Sequence, residues 1–133
     1  MYEFKHIGKI VPKGRPRFAR GRVHTPKRTK QYQKDIALAA LVARGPWRAL
    51  EGPVCLRVHA FYRCPHSHKA AQSPCYGGGG RGDLDNVLKA ISDACNGVLY
   101  LDDRQIVEIA ARQSYAPPGQ DEFIVVNVEE VKL

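Results

Sequence analysis

The spacing of hydrophobic positions along the chain predicts four strands. Residues 4–11 (FKHIGKIV) form a first candidate, although Gly8 interrupts it. Between residues 54 and 64 the pattern has period two, with Val54, Leu56, Val58, Ala60 and Tyr62 on one face and Arg57, His59 and Arg63 on the other. Such alternation is typical of a half-buried strand. Residues 105–115 and 122–131 predict two more strands, joined by the turn APPGQD.

Two stretches instead repeat at helical spacing. In the first, Thr25 predicts a hydroxyl N-cap and Pro26 the first helical position, where a missing N–H costs nothing. Its apolar stripe comprises Tyr32, Ile36, Ala39, Ala40 and Ala43, and Gly45-Pro46 predicts its end. The second helix opens at Asp83 and stops at Asn96-Gly97, with a stripe of Leu84, Val87, Leu88, Ile91, Ala94 or Cys95, and Val98.

The order of these elements predicts one α+β domain over residues 1–133, with a small mixed or antiparallel sheet and two main helices on one side. Residues 12–26 carry three prolines and two glycines, which predicts a basic loop without regular structure. Residues 65–82 contain four consecutive glycines and predict a second long loop, of a length that is usually functional or disordered.

Positive charge is concentrated at the start of the chain. The formal net charge is +8, but residues 1–34 hold 11 Lys and Arg against one Glu, while residues 35–133 hold 10 against 12 acids. Such a cluster is the expected footprint of phosphate-backbone binding. A solvated basic arm or a contact to an acidic protein are the alternatives. The candidate DNA-binding residues are Lys13, Arg15, Arg17, Arg20, Arg22, Lys27 and Arg28.

Composition excludes several classes of protein. Charges at Glu3, Lys5 and Lys9 leave no room for a signal peptide, and the longest apolar run, residues 36–43, is too short for a membrane span. The four cysteines lack CxxC spacing, so we expect reduced thiols in a cytoplasmic protein. Cys64, His66, His68 and Cys75 match no common zinc pattern, which leaves surface histidines and incidental thiols as the simpler interpretation.

The candidate chemistry lies in two acidic pairs. Asp83 and Asp85 flank the start of the second helix, and Asp102 and Asp103 follow a short apolar stretch. Asp83 as a helix cap and an ion pair between Asp85 and Lys89 would be the ordinary structural explanation. If Asp103 instead approaches Asp83 and Asp85, their mutual repulsion requires a cation. Mg²⁺ is the natural candidate, because it prefers oxygen ligands and combines carboxylates with phosphate oxygens.

Residues 83–106 (DLDNVLKAISDACNGVLYLDDRQI) resemble the signature of the RusA family of Holliday-junction resolvases. The segment PKGRPRF, the later TP and the following YQ also resemble the arm of phage-type members. The chain departs from the family pattern at Arg81-Gly82, where Lys-Pro often precedes the first Asp, and at Cys95-Asn96.

The resemblance implies a homodimer that cuts four-way DNA junctions with Mg²⁺, or Mn²⁺ in its place, and uses no organic cofactor. It implies Asp83, Asp85 and Asp103 as catalytic metal ligands, with Asp102 as a further candidate, and Lys89 as the essential lysine. Asn86 matches a recurrent position of unassigned role. A cytoplasmic location close to the nucleoid, with a cellular, phage or prophage origin, fits this expectation. The alternatives are a non-catalytic DNA-binding protein with a structural Asp cluster and, more weakly, a D-x-D transferase.

Overall fold

A computed structural model of the chain describes residues 1–14, 17–19, 21–24, 26–64, 75 and 83–132. Within them lie six strands, two α-helices and one short 3₁₀ helix. The strands are β1 (Tyr2–Ile7), β2 (Arg17–Ala19), β3 (Arg22–His24), β4 (Val54–Tyr62), β5 (Ile106–Tyr115) and β6 (Phe123–Glu130). The helices are α1 (Lys27–Arg44), α2 (Leu84–Cys95) and the 3₁₀ turn Asp103–Gln105.

Four strands form a mixed sheet in the order β1-β6-β4-β5. β6 pairs antiparallel with both β1 and β4, whereas β4 and β5 run parallel. Strands β1, β4 and β5 therefore point in the same direction. The predicted α+β class with a mixed sheet is confirmed, and each of the four predicted sheet strands is present. β1 begins two residues earlier and ends four residues earlier than predicted, just before Gly8.

The core lies between one face of this sheet and the two helices. The predicted inward face of β4 is confirmed, since all five of its alternate residues are buried. The register pairs Leu56 with Val128 and Val58 with Val126, so β6 contributes its own alternate residues to the same layer. Ile36 of α1 and Ile91 of α2 are fully buried against it. Burial of these side chains is what fixes both helices on one side of the sheet.

Helix α1 begins one residue later than the sequence indicates. Its N-cap is Pro26, which has an extended backbone and makes no side-chain cap, so Lys27 is the first helical residue. Thr25, the predicted N-cap, lies outside the described residues. The Lys30 N–H donates to the Pro26 carbonyl at 3.1 Å, which closes the first turn. The predicted end is confirmed, because Arg44 is the last residue and the Gly45 N–H donates to the Leu41 carbonyl.

The prediction that residues 12–26 lack regular structure is wrong for part of that segment. β2 and β3 pair antiparallel, with Phe18 opposite Val23. Gly21 has a φ of 72°, a left-handed conformation that glycine adopts without steric cost and that lets the chain reverse between the strands. The prolines remain outside the two strands, so they do not interrupt the ladder.

The second face of the four-stranded sheet carries no helix among the described residues. It presents a ladder of stacked rings, with His59 and Phe61 centroids 3.8 Å apart and Phe61 and Phe123 centroids 4.4 Å apart. Lys5 places its ammonium 4.1 Å from the centre of the Phe123 ring. Arg57 on this face pairs with Glu129 at 3.1 Å. Neither α1 nor α2, the two described α-helices, is long and apolar enough to cross a membrane.

Candidate active site at the start of helix α2

Helix α2 presents two carboxylates at its first turn. Asp83 is the N-cap residue in an extended conformation, and Asp85 lies within the first turn. The predicted start is confirmed, as is the stop, where Gly97 with a φ of 79° donates its N–H to the Tyr100 carbonyl at 2.8 Å. The buried residues Val87, Ala90, Ile91, Ala94 and Cys95 turn the opposite side of the helix towards the sheet and α1. Both carboxylates are consequently left at the surface.

The ordinary structural roles proposed for these carboxylates do not occur among the described residues. Asp83 makes no side-chain cap, although it occupies the capping position. Asp85 forms no ion pair with Lys89, which is exposed one turn later. Two negative charges near the N-terminus of α2 are favoured by the helix dipole, but no described side chain neutralises them. They are available to a cation or to a solvated ligand.

A short basic segment ties the start of α2 to the start of α1. The Lys13 N–H donates to the Asn86 carbonyl at 3.0 Å, and the Lys13 ammonium forms an ion pair with Asp93 at 2.6 Å. The Gly14 N–H donates to the Thr29 hydroxyl at 3.1 Å, and Thr29 is buried in the first turn of α1. The first turns of the two helices therefore lie side by side, bridged by Lys13 and Gly14.

This bridge has two consequences for the predicted DNA-binding residues. Lys27 and Arg28 are exposed on the first turn of α1, which contains no acid, so a cationic surface lies next to the carboxylates of α2. Lys13, in contrast, already has an acidic partner. The side chains of Arg15, Arg17, Arg20 and Arg22 lie outside the described residues, as do His66 and His68. Among the described residues, Cys64, Cys75 and the buried Cys55 and Cys95 form no disulfide bond.

The second acidic pair lies at the other end of α2. The Asp102 carboxylate caps the 3₁₀ helix by accepting the Arg104 N–H at 2.9 Å. That hydrogen bond, followed by one with Asp103, holds the pKa of Asp102 below its usual value. The pKa of Asp103 is raised, first by its hydrogen bond with Asp102, then by desolvation, and then by repulsion from Asp102 and Asp93. Asp103 is thus a neighbour of Asp93, near the end of the helix.

The predicted approach of Asp103 to Asp83 and Asp85 is not found within one chain. Asp85 and Asp93 are eight residues apart on a continuous helix, a rise of about 12 Å. Across the described ranges, no three His, Cys, Asp or Glu side chains form a group that could hold a metal ion. The chain reverses at Gly97, and the Tyr100 hydroxyl donates to the Ser92 carbonyl at 2.6 Å, so the segment that leads to Asp103 lies beside the last turn of α2. The assignment of these residues as ligands stays a prediction.

Asp93 and Gln105 hold this region in place, and the sequence analysis identified neither as a positioning residue. Asp93 binds Lys13, and its only sequence signal was its place four residues after Lys89. Gln105 accepts the N–H groups of Leu101 and Asp102 at 2.8 Å and donates to the carbonyls of Leu50 and Gly52 at 2.8 and 2.9 Å. Gln105 therefore fastens the Asp102-Asp103 turn to the segment that leads into β4. Its position three residues after Asp102 matches a capping box.

Comparison with known proteins identifies the family of this chain. The chain matches the curated protein YqaN of Bacillus subtilis (strain 168), which bears the description "uncharacterized protein", at 28% identity over 137 residues, 95% of this chain and 96% of the relative. The profile of the family described as "Endodeoxyribonuclease RusA" matches residues 8–128. That range contains the basic segment, both helices, both acidic pairs, β4, β5 and all of β6 except its last two residues, and it leaves out β1. The chain belongs to the RusA endodeoxyribonuclease family.

Proposed function

We propose that this protein is a Mg²⁺-dependent endodeoxyribonuclease that resolves four-way DNA junctions by cutting phosphodiester bonds in pairs. Membership of the RusA family supports the nuclease class and the DNA substrate. The observation that carries the proposal to particular residues is that Asp83 and Asp85 have no partner among the described side chains. These two carboxylates lie beside the cationic start of α1. A non-catalytic DNA-binding protein would need the cationic surface but not the two unsatisfied carboxylates.

The residues at the start of α2 fit a hard divalent cation. Mg²⁺ is held in proteins by one or two carboxylates together with water and substrate phosphate oxygens, and Asp83 and Asp85 supply two carboxylates at the surface. Bound there, the ion would lower the pKa of a water molecule and polarise the phosphoryl oxygen. Carboxylate oxygens suit such an ion, whereas imidazole and thiolate ligands favour transition metals.

The surrounding side chains have roles of their own in this proposal. Lys89 lies on the same side of α2 as Asp85, one turn away, and would stabilise negative charge that develops on the phosphoryl oxygens. Lys27 and Arg28 would contact the phosphate backbone close to the bond that is cut, which positions the DNA by shape rather than by base sequence. Two copies related by a two-fold axis would present two such sites to one junction. A cytoplasmic location is consistent with this substrate.

Asp85→Asn tests the proposal, because it removes one charge and keeps the shape of the side chain. We expect Asp85→Asn to lose cleavage of a labelled four-way junction in the presence of Mg²⁺ while it binds the junction as tightly as the parent protein. Asp121→Asn is the matched control, since Asp121 is also exposed but lies in the turn before β6. Cleavage by Asp85→Asn at the parent rate would refute the role of Asp85. Intact strands with the parent protein and Mg²⁺ would favour the DNA-binding alternative.

A further inference from the structure

The outer face of the sheet, which is turned away from both helices, carries a ladder of three rings. Phe123 stacks on Phe61 with centroids 4.4 Å apart, and Phe61 stacks on His59 with centroids 3.8 Å apart. Neighbouring ring planes differ by 14° and 26°, so the three rings lie nearly parallel. The Lys5 ammonium, 4.1 Å from the centre of the Phe123 ring, covers one end of the ladder. At the other end, His59 stacks on no second ring among the described residues.

A groove of about 460 Å³ lies beside His59 on this outer face. The His59 ring lines it, whereas Phe61 and Phe123 do not. The other outer-face side chains that line the groove are Arg57, Ala110, Arg112, Val125 and Asn127. Ligand-binding clefts in proteins commonly have volumes of about 300–1,000 Å³ and combine apolar walls with a few polar groups. A flat group that enters this groove would therefore extend the ladder by one ring.

The cations beside the groove favour an anionic ligand. The strand register places Lys5, Val125, His59 and Arg112 in one row across all four strands. Since neighbouring strands are about 4.8 Å apart, the backbones of Lys5 and Arg112 are separated by roughly 14 Å. Arg112 is exposed and forms no ion pair with a described residue. A cation thus flanks the ring ladder on each side.

The acidic residues of the same face leave these two cations unneutralised. Glu129 is paired with Arg57 at 3.1 Å, and the Glu3 carboxylate accepts a hydrogen bond from the Asn127 amide at 3.0 Å. Glu108 is exposed near the start of β5, but it lies about 13 Å along that strand from the cation of the groove. Positive charge therefore predominates beside the rings, and the mixed charges lie towards the opposite end of the sheet.

His59 offers a flat and uncharged surface to a ligand. Its Nε2 atom lies 2.8 Å from the Ser114 hydroxyl, and this hydrogen bond fixes the orientation of the ring. Desolvation, followed by the charge of Arg112, lowers the pKa of His59, so the ring is neutral at pH 7. Proteins bind single-stranded nucleic acids by stacking bases on such rings and by holding the backbone with cations. Both elements are present here.

We propose that this outer face is a second nucleic-acid site, at which an unpaired DNA base stacks on His59 in the groove while Arg112 and Lys5 contact the adjoining phosphates. A base within a duplex has both faces covered by its neighbours, so only an unpaired strand can enter. The groove lies on the opposite side of the sheet from α2 and is therefore separate from the candidate active site. Binding there requires neither a metal ion nor the proposed cleavage.

Oligonucleotides with and without bases test this site, with divalent ions chelated. We expect the full chain to bind a single-stranded oligothymidine of about ten nucleotides about tenfold more tightly than an abasic strand of the same length. Both strands carry the same phosphates, so the difference reports the bases alone. A 2-aminopurine within the strand should lose fluorescence on binding, because stacking on a ring quenches it. Equal affinity for the two strands would overturn the proposal.

Variants of His59 locate the site. His59→Ala should abolish the preference for bases, whereas His59→Phe should keep it, because phenylalanine still presents a flat ring. Trp47→Ala is the matched control, since Trp47 is 73% exposed but follows α1, away from the outer face. Arg112→Ala should weaken the binding of both strands, and Arg48→Ala, which removes another exposed arginine, should weaken it less. A base preference that survives in His59→Ala would show that the bases bind elsewhere and refute the site.

The remaining outcomes distinguish other occupants and the proposed function. If a second copy covers this face, His59→Ala will weaken self-association in sedimentation equilibrium and leave the base preference unchanged, which contradicts the proposal. Asp85→Asn should retain the base preference, because its carboxylate lies on the other side of the sheet. A parent protein that prefers bases but cuts no junction would refute the nuclease activity and support this site. A parent protein that cuts junctions but binds both strands equally would refute only this site.

Discussion

Gln105 is expected to hold the Asp102-Asp103 turn in place, and its truncation to alanine gives the most direct test of how this region is built. The side chain makes four hydrogen bonds, two accepted from Leu101 and Asp102 and two donated to Leu50 and Gly52, all between 2.8 and 2.9 Å. Each contributes a net of about 0.5–1.5 kcal/mol. Gln105 is half-buried, so water replaces part of this network in the variant. We expect a loss of about 2–4 kcal/mol in the free energy of unfolding.

For a chain of this size, that loss corresponds to a melting temperature lower by about 6–12 °C. The matched control is Gln113→Ala, which removes the same atoms but only one described hydrogen bond, from the Gln113 amide to the Cys75 carbonyl at 2.9 Å. That variant should melt about 3 °C below the parent protein. Thermal unfolding followed by circular dichroism compares the two.

Gln105→Glu sharpens the test, because it keeps an acceptor for two N–H groups but places a carboxylate against the carbonyls of Leu50 and Gly52. We expect it to be at least as destabilising as Gln105→Ala. If Gln105→Ala and Gln113→Ala have the same melting temperature, the four hydrogen bonds do not stabilise the protein as described. Junction cleavage should fall in both Gln105 variants even well below their melting temperatures, since Asp103 loses its support.

Two further predictions concern charge. The pKa of Asp103 is raised in the folded state, so its contribution to stability is largest at pH values below its unfolded pKa and is lost as the pH rises through the folded pKa. Asp103→Asn should therefore be more stable than the parent protein in urea at pH 7 and equal to it at pH 3; equal stability at pH 7 would contradict the repulsion from Asp102 and Asp93. Lys13 is already paired with Asp93, whereas Arg28 is exposed. Arg28→Ala should reduce the slope of log binding constant against log salt by about 1, and Lys13→Ala by much less; equal reductions would show that the ion pair opens on DNA.

Much of the fold follows from local patterns. The alternation of Val54, Leu56 and Val58 fixes the inward face of β4, because side chains of a strand alternate between its faces wherever the strand lies. Asn96-Gly97 marks the end of α2 for a similarly local reason, since a C-cap acts within one turn, and Asp83 occupies the N-cap position at its start although its side chain makes no cap. The sequence also shows the closely spaced carboxylates of Asp83 and Asp85 and the excess of cations before residue 35.

Other features depend on contacts between distant residues, and only the tertiary structure decided them. The hairpin of β2 and β3 forms despite the nearby prolines, because Gly21 provides the reversal and the prolines stay outside the ladder. The parallel pairing of β4 with β5 results from how the whole core is covered, which no single segment specifies. The ion pair of Lys13 with Asp93 joins residues 80 positions apart. Most importantly, tertiary contacts decide at which end of α2 the second acidic pair lies. The Tyr100 hydroxyl donates to the Ser92 carbonyl at 2.6 Å and holds that segment beside the last turn, which the rise of the helix separates from Asp83 and Asp85.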